Sequence, residues 1–181
     1  MTPQEIARRS AETMWAGDRA SQVLGMSLDA VGPGTATLSM TLRDDMVNGH
    51  AIGHGGLTFT LADSAFAFAC NSYNRSTVAA SAQIRFRRPT RLGDRLVATA
   101  TERERSGPDG VYDVLVTVGD EVVAVFSGRS KEIGGTLFDD GPPSRPVPRS
   151  GSVARPGWET AWWRPPPSAN ARAATVCTTC W

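Results

Sequence analysis

The sequence predicts an α+β domain in which a curved antiparallel β-sheet wraps around one long central α-helix. Three observations lead there. Residues 55–72 are apolar on nearly every side and poor in β-branched types, the pattern of a buried helix. Residues 35–42 alternate polar and apolar without error, the pattern of a half-buried antiparallel strand. Four strand-like stretches then follow with no helical pattern between them, which argues against a doubly wound parallel sheet.

Each element has a local reason. Thr2-Pro3-Gln4-Glu5 has a capping threonine, a proline suited to the first helical position and a glutamate that completes a capping box. A helix is predicted from there to about Trp15, with a weak inward face of Ile6, Arg9, Ser10, Thr13 and Met14. A short helix from Asp18 to Leu24 is stopped by Gly25. A strand over Met26–Val31, a Gly32-Pro33-Gly34 turn and a strand over Thr35–Leu42 follow. Residues 43–54 read as a polar loop before the long helix Gly55–Ser72. The later strands are Val78–Arg88, Arg95–Arg105, Val111–Val118 and Glu121–Ser130, with turns at Gly93-Asp94 and Gly119-Asp120.

Composition narrows the function. The 181 residues carry 19 basic and 18 acidic side chains, a net charge of +1, unlike a basic nucleic-acid binder. The apolar share is 40%, too high for a disordered chain. No apolar run approaches the roughly 18 residues of a membrane span. The first ten residues lack the apolar stretch of a signal peptide, so a cytoplasmic protein is expected, with no nucleic-acid or membrane partner. Three cysteines do not make a disulfide framework in that compartment.

Composition breaks near residue 140. The last 41 residues hold 8 of the 12 prolines, 4 of the 5 tryptophans, five arginines and one acid, Glu159. Two domains of unequal kind are therefore expected: residues 1–140 folded, and 141–181 a disordered or polyproline-like tail.

Candidate chemistry sits in one stretch. Asn48-Gly49-His50-Ala51-Ile52-Gly53-His54-Gly55-Gly56 runs straight into the long helix. Gly55 and Gly56 let a ligand approach backbone amides at a helix start, which can hold an anion or a developing oxyanion. Asp63 stands in Leu61-Ala62-Asp63-Ser64-Ala65-Phe66, the most apolar stretch of the chain. A carboxylate there is either hydrogen-bonded to a neighbour or functional. His50 and His54 are four apart but lack the glutamate of a zinc helix motif, and Cys177 and Cys180 form one pair without a second, so no metal site is expected. Arg85, Arg87 and Arg88 cluster at a strand end, either as a solvated edge or as a phosphate site, with Arg129 and Lys131 similar candidates.

These residues carry a resemblance. Met46 to His50, His54-Gly55-Gly56, and Phe59 through Ser72 with Asp63 at their centre resemble the PaaI-type phenylacetyl-CoA thioesterases, which have a hotdog fold. The likeness continues through Val78 to Ser81, Phe86-Arg87-Arg88-Pro89 and Phe126 to Ser130, and ends near Thr136, so it leaves out the tail. It implies that Asp63 acts as base or nucleophile and that the Gly55 amide polarises the thioester carbonyl. It further implies that Asn48 and His54 place that carbonyl and that Ser81 helps hold the attacking water. Gly56, Arg87, Arg88, Arg129 and Lys131 are the candidates for binding substrate and coenzyme A. No cofactor is expected beyond the coenzyme A of the substrate. The expected acyl group is phenylacetyl or a ring-hydroxylated relative, with Met46, Phe59 and Phe66 shaping its pocket. The alternatives are a non-catalytic acyl-CoA-binding hotdog module, which would not need Asp63, and a hotdog dehydratase, which would pair Asp and His differently.

The spacing itself asks for two chains. Gly55 and Asp63 are eight residues apart, about 12 Å along a continuous helix and roughly 80° apart around it. One thioester carbon must lie ~3 Å from both donor and attacking group. A two-fold dimer with antiparallel central helices meets that need, and the resemblance implies the same, often as a dimer of dimers. The tail enters none of this. A chain ending at Asp140 is expected to keep the thermal midpoint and thioesterase activity of the full protein, measured side by side.

Overall fold

The computed structural model describes residues 1–139. The reading of 141–181 as a disordered tail lies outside the described residues. Helix α1 spans Pro3–Gly17 and α2 spans Arg19–Val23. Strands β1 (Ser27–Gly32) and β2 (Thr35–Thr41) precede a single 3₁₀ turn at Asp44–Met46 and helix α3, Gly55–Cys70. Strands β3 (Thr77–Phe86), β4 (Arg95–Ser106), β5 (Asp109–Val118) and β6 (Glu121–Glu132) follow. All pair antiparallel in one sheet, ordered β1-β2-β4-β5-β6-β3.

The sheet curves because four of its five ladders contain a register shift, at 28/30, 79/81, 102/104 and 116/117. Such bulges bend and twist a strand pair locally. The curved sheet closes on α3, which touches all six strands. Small residues permit the approach. Ala62, Ala65 and Ala69 of α3 and Ala36, Ala98, Ala100 and Ala124 of the strands are all buried. Larger side chains fill between them: Leu38, Leu61, Phe66, Phe68, Leu96, Val114, Val116 and Phe126. Rings interlock, with Phe66 tilted against Tyr112 and Phe126 at 5.4 and 5.8 Å between centroids.

The capping box of α1 forms as the sequence predicts: Glu5 N–H donates to Thr2 Oγ1 at 3.2 Å, and Thr2 N–H donates to Glu5 at 2.6 Å. Its inward face differs from the prediction. Ala7, Ser10 and Ala11 are buried, whereas Arg9 and Thr13 are exposed. Small residues pack α1 onto β1, and their weak hydropathy hid that face. Strand β3 ends at Phe86, so Arg87 and Arg88 lie just beyond it, where both backbone N–H groups donate to Val123 O. Pro89 follows and forbids further ladder.

Strand β3 is also the anomaly of the sheet. It pairs only with β6, and eight of its ten residues are exposed, including Val78, Ala79, Ala80, Ala82 and Phe86. A ten-residue edge with apolar side chains is the kind that proteins cover.

Asn74, buried in the left-handed conformation with φ 57°, fastens the segment that follows β6 at residues 137–138. Its Oδ1 accepts from Leu137 and Phe138 N–H at 3.0 Å each, its Nδ2 donates to Phe138 O, and its N–H donates to Ser10 Oγ. Asn74→Ala is expected to lower stability by roughly 2–3 kcal/mol, read by urea unfolding, because it leaves buried backbone groups unpaired and replaces asparagine, which tolerates the left-handed region, with a residue that does not.

Candidate active site

The site grows from the start of α3. Residues 47–53 form a small hairpin, with Asn48 N–H donating to Ile52 O and a bridge between Val47 and Gly53. Gly53 is fixed by two contacts. Its N–H donates to Thr90 O at 2.8 Å, and a β-carbon there would land on Thr90 Oγ1 and Leu42 Cδ1. The chain then turns into α3 with His54 as its N-cap: His54 Nδ1 accepts from Gly56 N–H at 3.1 Å. That leaves Gly55 N–H pointing out of the first turn with no acceptor among the described residues. The helix dipole adds positive potential at that point.

A cleft of about 380 Å³ opens there. Gly55 and Asn48 line it beside Arg87 and Arg88, and Ile52, Phe86, Pro89 and Val123 make its apolar walls. The Phe86 ring lies so close that a β-carbon at Gly55 would meet it at 3.0 Å. Asn48 Oδ1 is engaged by His50 N–H at 2.9 Å, which leaves its Nδ2 without a partner among the described residues. Arg87 makes no ion pair among the described residues, while Arg88 pairs with Glu121 at 2.8 Å on the surface.

The structure thus brings Asn48, Gly55, Arg87 and Arg88 together. It places His54 and Gly56 just behind them, bonded to each other. The other candidates lie apart. Ser81 lines a separate groove with Gln83, Ser127 and Arg129, and Lys131 pairs with Asp109 at 3.4 Å. Met46 and Phe66 are 2% and 1% exposed and belong to the core, and Phe59 packs against it. The apolar wall of the cleft is made by Ile52, Phe86 and Val123 instead. Sequence reasoning misses Phe86 while singling out its neighbours Arg87 and Arg88; an aromatic at a strand end before Arg-Arg-Pro is the signal it offers.

Asp63 does not line this cleft. It lies two turns further along α3, partly buried on the stripe Thr60, Asp63, Ser64 and Ala67 that the sheet leaves least covered. Its carboxylate has no hydrogen bond or ion pair among the described residues. Burial alone raises its pKa above the ordinary carboxylate value. Among the described residues no group of three or more His, Cys, Asp or Glu is placed to hold a metal, and no helix is long and apolar enough to cross a membrane.

A curved antiparallel sheet closed around one long buried helix is a hotdog fold, and its central helix carries a free amide over an apolar cleft at its start and a desolvated carboxylate further along. Comparison with known proteins agrees. A thioesterase superfamily model matches residues 50–125. The chain is 42% identical to the acyl-coenzyme A thioesterase PaaI of Escherichia coli over 132 residues, 72% of this chain and 94% of that protein. The solved structure of the E. coli PaaI protein, from the phenylacetic acid degradation operon, superposes with a TM-score of 0.73 at 40% identity, covering 75% of this chain and 99% of that one. A mutant form of the phenylacetic acid degradation protein PaaI from Thermus thermophilus superposes with a TM-score of 0.63 at 34% identity, covering 64% of this chain and all of its own. The chain belongs to the PaaI-type acyl-CoA thioesterases of the thioesterase superfamily.

The raised pKa of Asp63 has a stability consequence. The folded state holds this proton more tightly than the unfolded state, so the contribution is fully present at low pH and is lost as pH rises through the raised value. Asp63→Asn is expected to melt above wild type at neutral pH. The gap should close as pH falls into the ordinary carboxylate range, where Asp63 is protonated folded and unfolded alike. Thermal unfolding at about pH 4 and about pH 7.5 measures it.

Proposed function

We propose that this enzyme hydrolyses phenylacetyl-CoA or a ring-hydroxylated phenylacetyl-CoA to the free acid and coenzyme A, in phenylacetate breakdown, and that its active site is shared by two chains. The observation that carries the reading is the unpartnered Gly55 N–H opening into a cleft walled by Phe86, Ile52 and Val123. The relatives supply the substrate class, since one is named for acyl-CoA hydrolysis and another for the phenylacetic acid operon.

The chemistry follows from the residues. The thioester carbonyl oxygen takes the Gly55 N–H, whose helix dipole favours the charge that develops there. Asn48 Nδ2 holds the carbonyl from the side, and His54 fixes the first turn that aims the amide. Asp63 accepts a proton from water as it attacks, or attacks the carbonyl carbon itself to give a mixed anhydride that a water then opens; by either route the C–S bond breaks and coenzyme A leaves as a thiolate that takes up the water's proton, and the raised pKa of Asp63 makes it a stronger base than a solvated carboxylate. Ser81 holds the water. Arg87 and Arg88 at the cleft mouth receive coenzyme A phosphates, with Arg129 and Lys131 further along the sheet. No cofactor enters beyond the coenzyme A of the substrate.

Two features support the shared site. Asp63 is absent from the cleft that holds Gly55, as a spacing of about 12 Å along one helix requires. Strand β3 is an uncovered apolar edge, suited to pair with its own copy about a two-fold axis. Such pairing builds a homodimer, and a second contact makes a dimer of dimers.

Complementation tests this. Asp63→Asn is expected to lower kcat by ~10²-fold or more, the scale of losing a positioned base. Gly55→Pro removes the donor N–H at a position where proline suits a helix. Co-refolded mixtures of the two inactive proteins should regain activity, because a heterodimer holds one intact site. Heterodimers present without activity, or an active monomer, would overturn the shared site. Unaltered turnover in Asp63→Asn, or tight acyl-CoA binding without hydrolysis by the wild type, would overturn the catalytic assignment.

A further inference from the structure

Helix α3 is capped by a side chain that can lose its ability to cap. Serine, threonine and asparagine cap with an oxygen that does not titrate. Here the acceptor is an imidazole nitrogen: His54 Nδ1 takes the Gly56 N–H at 3.1 Å. A neutral imidazole has one N–H and one bare nitrogen, so this bond requires the proton to sit on Nε2. An imidazolium has no bare nitrogen, because both carry a hydrogen.

The surroundings offer a positive charge at His54 no partner. Among the described residues no carboxylate bonds to it or pairs with it. Asp44 and Asp45 stand in the 3₁₀ turn whose Met46 O accepts the His54 N–H, and Asp45 is already paired with Arg43 at 3.0 Å. The hairpin before it contributes the other imidazole, His50, and the segment after β3 contributes two cations, Arg87 and Arg88. Asp63 lies two turns further along α3. The positive end of the helix dipole adds to the cations. Protonation therefore sets Nδ1–H against Gly56 N–H, donor against donor, in a field that repels it. The ring must turn away.

The consequence is local. Leu57 and Thr58 N–H still donate to His54 O, and Gly53 N–H to Thr90 O, so the backbone entry to the helix is kept. What is lost is the side-chain tie on the first turn. Gly56 N–H joins Gly55 N–H as a donor without an acceptor, and two glycines in succession have no side chain to stiffen the turn.

We propose that His54 is a proton-operated latch: neutral, it holds Gly56 and so aims the Gly55 N–H into the cleft; protonated, it lets go and the aimed donor is lost. This rests on the reading of Gly55 as donor to the thioester carbonyl. The latch has a meaning for a thioester hydrolase. Water and a thioester give a carboxylic acid and a thiol. Near neutrality the acid ionises and releases one proton per turnover, while the thiol keeps its own. Acid that accumulates closes the latch on the reaction that makes it.

The test follows kcat for saturating phenylacetyl-CoA against pH, by release of free thiol, in wild type and His54→Asn. Asparagine caps a helix without titrating. Only the shape of each profile is compared, whatever its plateau. Toward acid, wild type is expected to fall by two protons, approaching ~100-fold per pH unit once His54 and Asp63 are both protonated, and His54→Asn by one, ~10-fold per unit. A second measurement needs no turnover. The chain has two histidines, so in His50→Ala the imidazole nitrogen resonances report His54 alone. They should show the Nε2–H form near neutrality, and the Gly55 and Gly56 amide resonances should move as His54 titrates. Profiles of the same steepness in the two proteins, an Nδ1–H ring, or glycine amides indifferent to the titration would each overturn the latch and leave the Gly55 reading standing. A wild type that does not hydrolyse phenylacetyl-CoA overturns the proposed substrate, and the resonances alone then decide the latch.

Discussion

Everything in this fold depends on how closely the sheet can approach α3. A helix packed this deep must meet strands without large side chains in the way, and alanine solves the problem from both sides. Ala62, Ala65 and Ala69 face inward from the helix, and Ala98 and Ala100 meet it from β4. An apolar helix enclosed by six strands loses contact with water along most of its length. What stays open is its first turn and one stripe. Those two exceptions carry Gly55 and Asp63, so the same packing that stabilises the domain also decides which parts of the helix stay within reach of solvent.

The first turn is held open by a division of labour between two neighbouring residues. His54 takes the Gly56 N–H, which caps the helix and fixes its direction. Gly55 is thereby left as the free donor, and its lack of a side chain lets Phe86 close over it. A helix start with an ordinary serine or aspartate cap would satisfy its amides in the same way. The distinction lies in the cleft above, whose open space faces the free amide. On the sheet side, β3 stops at Phe86, and Arg87 and Arg88 turn back onto Val123 O, so apolar wall and cationic mouth follow one another within three residues.

Much of this could be read from residue order. The alternation of Thr35 to Leu42 named β2, the Thr2-Pro3-Glu5 box named the start of α1, and the long apolar run named α3. The desolvation of Asp63 was legible because a carboxylate in an apolar run is costly wherever it lies. What stayed hidden shares one cause: residue types whose polarity does not reveal their surroundings. Ala7 and Ala11 bury α1 but score weakly in any hydropathy pattern. Thr58 resembles its neighbour Thr60, and only the fold shows that one hydroxyl is bonded and the other is not. Met46 and Phe66 looked like pocket residues because they are large, yet the curvature of the sheet turns them into core and gives the wall to Phe86, a residue 52% exposed.

The glycine at 53 has a consequence for how the fold can change over evolutionary time. Its backbone, pinned to Thr90 and pressed by Leu42, forms a floor that no side chain can alter without collision. The walls above it are different. Ile52, Phe86 and Val123 project from a loop, a strand terminus and the next strand, and none of them separates α3 from the sheet at its alanine contacts. Substitutions at these wall positions therefore reshape the cavity while the glycine floor and the helix axis stay where they are. The architecture separates what must be rigid from what is free to drift, and a lineage can explore new cavity shapes one wall residue at a time without passing through an unfolded intermediate.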